Sequence, residues 1–396
     1  MSKLIITSGD VSDVDGFLAL AEYAKTGADV LYTMNYPAYL AGDAAEEDFE
    51  AKHPGLGFRY GVDRVDAETS SERMKGDLTN LAFTMATRVW NEASPAGRLL
   101  FMIGGVNQVN PFSPQAVKNE LVTFAPFVVS TTPNLNPEPG ALYDANGQPL
   151  SRVLPPTATE IYVDFNGSMA FFDEDTWLVQ ALDSNSDKVK GAFIMGGVDA
   201  NKPPQTMPAI KGRLNRLSCA TMNQLYHPPN TARFFQFLES HEIPTYIVPN
   251  NAVASLENDD GVNRFLTANG LDGQYLGDIA RTYYATGAPR KPFDVYTAVA
   301  LRAVLAGDLQ TTMMRLFYSG ELGVSLLGTM SWDETVAAYA HNIDLAPAPD
   351  DSEFVRAKKE SFRRELELLR GLPKLQSLSV MAPTFVLDPE SRRLVA

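Results

Sequence analysis

Three carboxylates, Asp10, Asp13 and Asp15, fall within six positions of the segment LIITSGDVSDVDGFLAL, residues 4–20. The apolar run Leu4-Ile5-Ile6 precedes them, and Phe17-Leu18-Ala19-Leu20 follows at helical spacing. The carboxylates therefore mark the turn from a buried strand into a helix. Like charges this close repel one another unless a cation, a proton or solvent relieves them. A hard divalent cation is one answer. Ca²⁺ takes roughly six to eight oxygen ligands, which carboxylates, a carbonyl, waters and a vicinal diol can supply. Water on such a cation has a lowered pKa, and a neighbouring carboxylate can take its proton. The other answer is a solvated strand end that caps a helix, because acidic side chains favour helix N-termini.

Whichever answer holds, the elements around these residues must place them. Strand-like runs occur at residues 3–8, 29–35, 98–104, 158–165, 190–197 and 243–250. Amphipathic helical patterns lie between several of them, such as DGFLALAEYAKTG ending at Gly27 and TNLAFTMATRVWNEA before the third strand. This alternation predicts βαβ units and an α/β fold with an open, mostly parallel β-sheet flanked by helices. Ligands of such sheets sit at the carboxyl ends of the strands. Asp10, Asn35, Gly104-Gly105, Gly167 and Gly196-Gly197 all fall at that edge. Residues 131–157, rich in Pro, Gly and Asn, read as a long loop inserted in the domain, with a hairpin signal at DANG. We expect one domain over residues 1–345, with residues 346–396 adding an amphipathic helix and a tail packed on it.

The 396 residues are 45% hydrophobic and 20% charged, the balance of a soluble globular chain with a substantial core. A net charge of −15 argues against nucleic acid as a partner, since phosphate binding needs a basic footprint. It leaves nucleosides open, because they carry no phosphate. There is no apolar run long enough to span a membrane, and the N-terminus enters strand-like sequence directly, without the features of a signal peptide. The single cysteine, Cys219, rules out an internal disulfide framework and suits a reducing compartment, so a cytoplasmic location is expected.

Seven segments then line up in order. DVSDVDG (10–16) resembles the aspartate-rich signature of the inosine–uridine-type nucleoside hydrolases. YTMNY (32–36), MIGGVNQVNPF (102–112), DFNGSMAFF (164–172), FIMGG (193–197), LNRLSCATMNQLYHPP (214–229) and KPFDVYTAVALRAV (291–304) resemble that family's later segments. The resemblance spans roughly residues 3–304. It implies a Ca²⁺ site at the sheet's carboxyl edge, with Asp10 as ligand and general base and Asp15, Asp294 and the Gly167 carbonyl as further ligands. It places Asn35, Asn215, Thr221 and Asn223 on sugar-binding positions. It also implies a homodimer or homotetramer.

Four positions depart from the family pattern. Val14 stands where a ribose-contacting aspartate is usual, and Thr221 replaces a glutamate that helps bind the 5′-hydroxyl. His227 replaces an aspartate, and Phe293 replaces a histidine associated with leaving-group activation. The resemblance therefore implies a Ca²⁺-dependent hydrolase that cleaves the N-glycosidic bond of a ribonucleoside or related N-riboside with non-standard preference. Such cleavage passes through an oxocarbenium-like state, which clustered carboxylates stabilise. The alternative is a catalytically impaired relative that keeps the metal site and serves as a binding or structural protein. Asp13 reads as a loop or capping carboxylate, and His227 as the start of a helix. Cys219 reads as a small buried residue, and Trp90, Trp177 and Trp332 as packing residues. Tyr283 and Tyr284 lie upstream of Asp294, where the resemblance implies aromatic residues near the base, and at least one of them is expected to pack a helix face.

Overall fold

The computed structural model describes residues 2–10, 14–36, 71–107, 135–204, 217–285, 291–319, 323–372, 375–384, 386–387 and 394–395. At Asp10, 71–75, 77, 222, 386–387 and 394–395 the backbone alone is described. The six strands expected from the sequence are present. They are β1 (Ser2–Asp10), β2 (Asp29–Tyr36), β3 (Leu99–Val106), β6 (Ala158–Phe165), β7 (Val189–Met195) and β9 (Thr245–Val248). They run in the order β3-β2-β1-β6-β7-β9, and every neighbouring pair is parallel.

Both faces of these strands are covered, which is why they read as continuous apolar runs. The period of two distributes them between two cores. Ile5, Val30 and Tyr32 pack under α1 (Val14–Ala24), α2 (Ser71–Ala93), α6 (Asp259–Ala268), α7 (Tyr275–Ala285) and α8 (Phe293–Ala306). Leu4, Ile6 and Leu31 face the other way, toward α3 (Trp177–Asp183) and α5 (Pro228–Ser240). The short α4 (Met222–Leu225) precedes α5.

The fold is an open, mostly parallel α/β sheet flanked by helices, with twelve strands among the described residues. Antiparallel pairs enter at both of its ends. Part of the expected 131–157 loop forms β4 (Leu142–Asp144) and β5 (Pro149–Leu150), an antiparallel hairpin on the free edge of β3. The turn at DANG is held by Asp144 Oδ1, which accepts from the N–H groups of Asn146 and Gln148, both at 2.9 Å.

At the far end β12 (Gln376–Pro383) enters between β9 and β10 (Thr311–Ser319). β11 (Val324–Gly328) and β8 (Val198–Asp199) complete the sheet. β10 is antiparallel to both β11 and β12. A third core joins this end to α9 (Trp332–His341) and α10 (Glu353–Gly371) through Val336, Tyr339, Phe362, Leu366 and Leu369. β13 (Val386–Leu387) and β14 (Leu394–Val395) pair separately. Among the described residues no helix is long and apolar enough to cross a membrane.

Candidate functional site

The site is built around one glycine. In register, the end of β1 pairs Asp10 with Asn35 of β2, and Ser8 pairs with Phe165 of β6. A β-carbon on Gly9 would collide with the Tyr32 hydroxyl, so only glycine lets that ring lie across β1. A β-carbon added at Gly16, in the first turn of α1, would lie 3.7 Å from Gly9 Cα and 3.8 Å from Asp294 Oδ2. One added at Gly167 would lie 3.2 Å from Gly9 Cα. The start of α1 therefore lies beside both Gly9 and the Asp294 carboxylate, and the turn after β6 lies beside Gly9, so all four gather around the end of β1. Their sequence numbers span almost 300 positions.

Asp15 and Asp294 are both buried, each in the first turn of a helix where the positive end of the dipole favours a carboxylate. Tyr284 Oη of α7 donates to Asp15 Oδ1 at 2.7 Å, and the Phe293 main-chain N–H at the start of α8 donates to Oδ2 at 3.1 Å. Asp15 thus ties three helices to the strand edge. The sequence reading singled out Tyr284 with Tyr283, but its bond to Asp15 has no signal in the helix spacing. The Asp10 side chain, Asp13 and Asn215 lie outside the described residues. Among the described residues no group of three or more His, Cys, Asp or Glu side chains is spaced to hold a metal.

The turn after β6 gathers two of the expected asparagines. Asn35 is fully buried; its Nδ2 donates to the Ser168 carbonyl at 2.9 Å, and its Oδ1 has no partner among the described residues. Asn223 Nδ2 donates to the Asn166 carbonyl. Gly167 lies between these two anchored residues, and its N–H donates to Ser8 Oγ at 3.2 Å.

Beneath this turn is a buried network absent from the sequence reading. Tyr23 Oη donates to Asp164 Oδ2 at 2.5 Å and accepts from Asn166 Nδ2 at 2.7 Å. Thr297 Oγ1 donates to Asn166 Oδ1 and also reaches the Asp294 carbonyl at 2.9 Å. Burial pushes the Asp164 carboxyl up to about 8, against hydrogen bonds from Tyr23 and Thr297 that pull it down. Asp164 is therefore largely protonated at neutral pH. The available signal was an acidic residue inside the apolar strand ATEIYVDF.

The remaining candidates are engaged in other ways. Thr221 Oγ1 accepts the Gly197 N–H at 2.5 Å, and its methyl fills the space where a β-carbon on Gly196 would stand. Val14 has no exposed surface and packs in the core. His227 caps α5, its Nδ1 accepting from Asn230 N at 3.4 Å, and burial pulls its pKa down to about 4. It is the helix start expected, and it is neutral at physiological pH. Lys291 Nζ lies 5.7 Å from the Phe293 ring centroid. Trp90 is buried in the core, while Trp177 and Trp332 donate their indole N–H groups to main-chain carbonyls. Cys219 is a buried free thiol.

No protein-family model matches the chain, and no curated protein matches it. Among solved structures it is similar to the type III effector protein XopQ complexed with adenosine diphosphate ribose. The match has 14% sequence identity and a TM-score of 0.38, covering 94% of this chain and 93% of that one.

Proposed function

We propose that the chain is a nucleoside hydrolase-like enzyme that cleaves the N-glycosidic bond of a ribonucleoside or related N-riboside with the help of Ca²⁺. The observation that carries this reading is the convergence at Gly9. Asp294 and the 166–168 turn, which the sequence resemblance assigns to one cation site with Asp10 and Asp15, come together at the carboxyl end of β1. The donors there suit the ion. Two buried carboxylates and a main-chain carbonyl are hard oxygens, the set that Ca²⁺ prefers and a thiophilic metal does not.

Asp10, Asp15, Asp294 and the Gly167 carbonyl would hold the cation. Bound there, Ca²⁺ would lower the pKa of water and take the vicinal hydroxyls of a ribose. Asp10 would accept the proton from the attacking water, since it ends the strand on which the sugar would sit. Tyr284 and the Phe293 N–H hold Asp15 in a fixed orientation. Asn223 is anchored through Nδ2, which leaves its Oδ1 to accept from a sugar hydroxyl. Asn35 fixes the 166–168 turn through Ser168. His227, neutral and used as a cap, does not supply the leaving base with a proton.

Val14, Thr221 and Phe293 remove polar partners that the family resemblance assigns to sugar and base. Losing a hydrogen bond to a charged group costs about 1.5–3 kcal/mol. Two such losses acting in the transition state slow turnover by roughly 10²–10⁴-fold, so inosine and uridine are expected to be poor substrates. The reading is tested by screening ribonucleosides and other N-ribosides for released base and ribose, with Asp10→Asn as control. Release that disappears in Asp10→Asn supports it, and ordinary turnover of inosine contradicts the account of the substitutions. A second reading, a binding protein that keeps the cation, is favoured by the Thr221 hydroxyl being committed to Gly197. Calcium binding without release from any riboside would select it.

A further inference from the structure

The C-terminal helix reaches the sugar side of the site through one buried carboxylate. Glu365 of α10 is 3% exposed and stands 147 positions from Ser218. Its oxygens accept the Ser218 N–H at 2.9 Å, the Cys219 N–H at 3.2 Å, the Ser218 hydroxyl at 2.8 Å and the Tyr339 hydroxyl at 3.1 Å. The Ser218 and Tyr339 hydroxyls also bond to each other. A buried carboxylate stripped of its donors is costly, so these bonds fix where residues 218 and 219 run.

From there the chain has little freedom. Ser325 N–H donates to the Cys219 carbonyl at 3.0 Å, Ala220 bridges to Val324, and Thr221 N–H donates to Gly323 at 3.1 Å. Thr221 Oγ1 takes the Gly197 N–H, and two residues later Asn223 reaches the Asn166 carbonyl. Only three residues separate the Glu365 clamp from Asn223.

We propose that Glu365 is a positioning residue for Asn223, which makes α10 a working part of the site. The role in sugar binding rests on the proposed function, while the role in placing Asn223 does not. Glu365→Gln keeps the shape but sets an amide NH₂ against a main-chain N–H, so one donor loses its acceptor. Glu367→Gln, exposed on the same helix, is the control.

The full chain is examined in two ways, by hydrogen–deuterium exchange over residues 217–225 and by kinetics on p-nitrophenyl β-D-ribofuranoside with Ca²⁺. In Glu365→Gln, exchange over 217–225 rises about tenfold or more, as expected when a local clamp opens. KM rises about tenfold with kcat within about threefold, the split expected when ground-state binding is lost. Glu367→Gln matches the wild type in both. Should Glu365→Gln not fold, Ser218→Ala keeps the carboxylate and removes one donor, and it shifts both readouts in the same direction by less. Wild-type exchange over 217–225 in the folded variant overturns the proposal, and raised exchange with an unchanged KM overturns the role in sugar binding. If the wild type cleaves neither this O-riboside nor any N-riboside of the screen, the proposed function fails, and the exchange result alone decides whether Glu365 places Asn223.

Discussion

Each buried polar side chain at the site has a definite task, and single substitutions can isolate it. Tyr284→Phe removes the hydroxyl that reaches Asp15 Oδ1. A buried carboxylate that loses one charge-assisted hydrogen bond costs roughly 1.5–3 kcal/mol, so urea denaturation should show a stability loss of that size. Asp164 makes a prediction about pH. Its carboxyl titrates at about 8 in the folded protein against an ordinary value of 3.8. Between these values the folded state holds a proton that the unfolded state has released, so stability falls as pH rises. The limiting slope is about 1.4 kcal/mol per pH unit, and it flattens above about pH 8 where both states are ionised. Asp164→Asn removes this dependence. Urea melts at pH 5, 7 and 9 should show the variant gaining on the wild type as pH increases, and a parallel pH dependence would contradict the account.

At the scale of elements, the close approach of α1 to β1 brings distant segments into one place. Gly9→Ala should drive the Tyr32 hydroxyl off β1 and loosen the α1 start. Overpacking of this kind costs about 1–3 kcal/mol, to be read in a thermal melt together with weaker calcium binding. The six parallel strands were legible in the sequence because strands covered on both faces are unbroken apolar runs between helical patterns. The mixed end of the sheet was not. β10 reads TTMMRLFYS with its first three residues exposed, and it pairs with β12 across 58 to 72 positions, outside any βαβ unit. Within the candidate site, Asp15 stood out through the aspartate cluster at the start of α1, and Asp294 only through the resemblance of the segment KPFDVYTAVALRAV to a known family. Asp164 was hidden inside a strand, and Tyr284 and Glu365 on amphipathic helices. For all three the partner that defines the role comes from a distant segment.

For the whole molecule, which carries a net charge of −15, the proposed cation would offset part of the negative charge gathered at the site. A ligand that binds only the folded state stabilises it by about 2.7 kcal/mol at a free concentration of 100 times its Kd. Calcium should therefore raise the melting temperature and a chelator should reverse the rise. The most direct test of the central claim is titration calorimetry of calcium into the wild type, Asp15→Asn, Asp294→Asn and Asp13→Asn. The account predicts one calcium per chain, lost in Asp15→Asn and Asp294→Asn and kept in Asp13→Asn. A wild type that binds no calcium, or binding that Asp294→Asn leaves untouched, would contradict it.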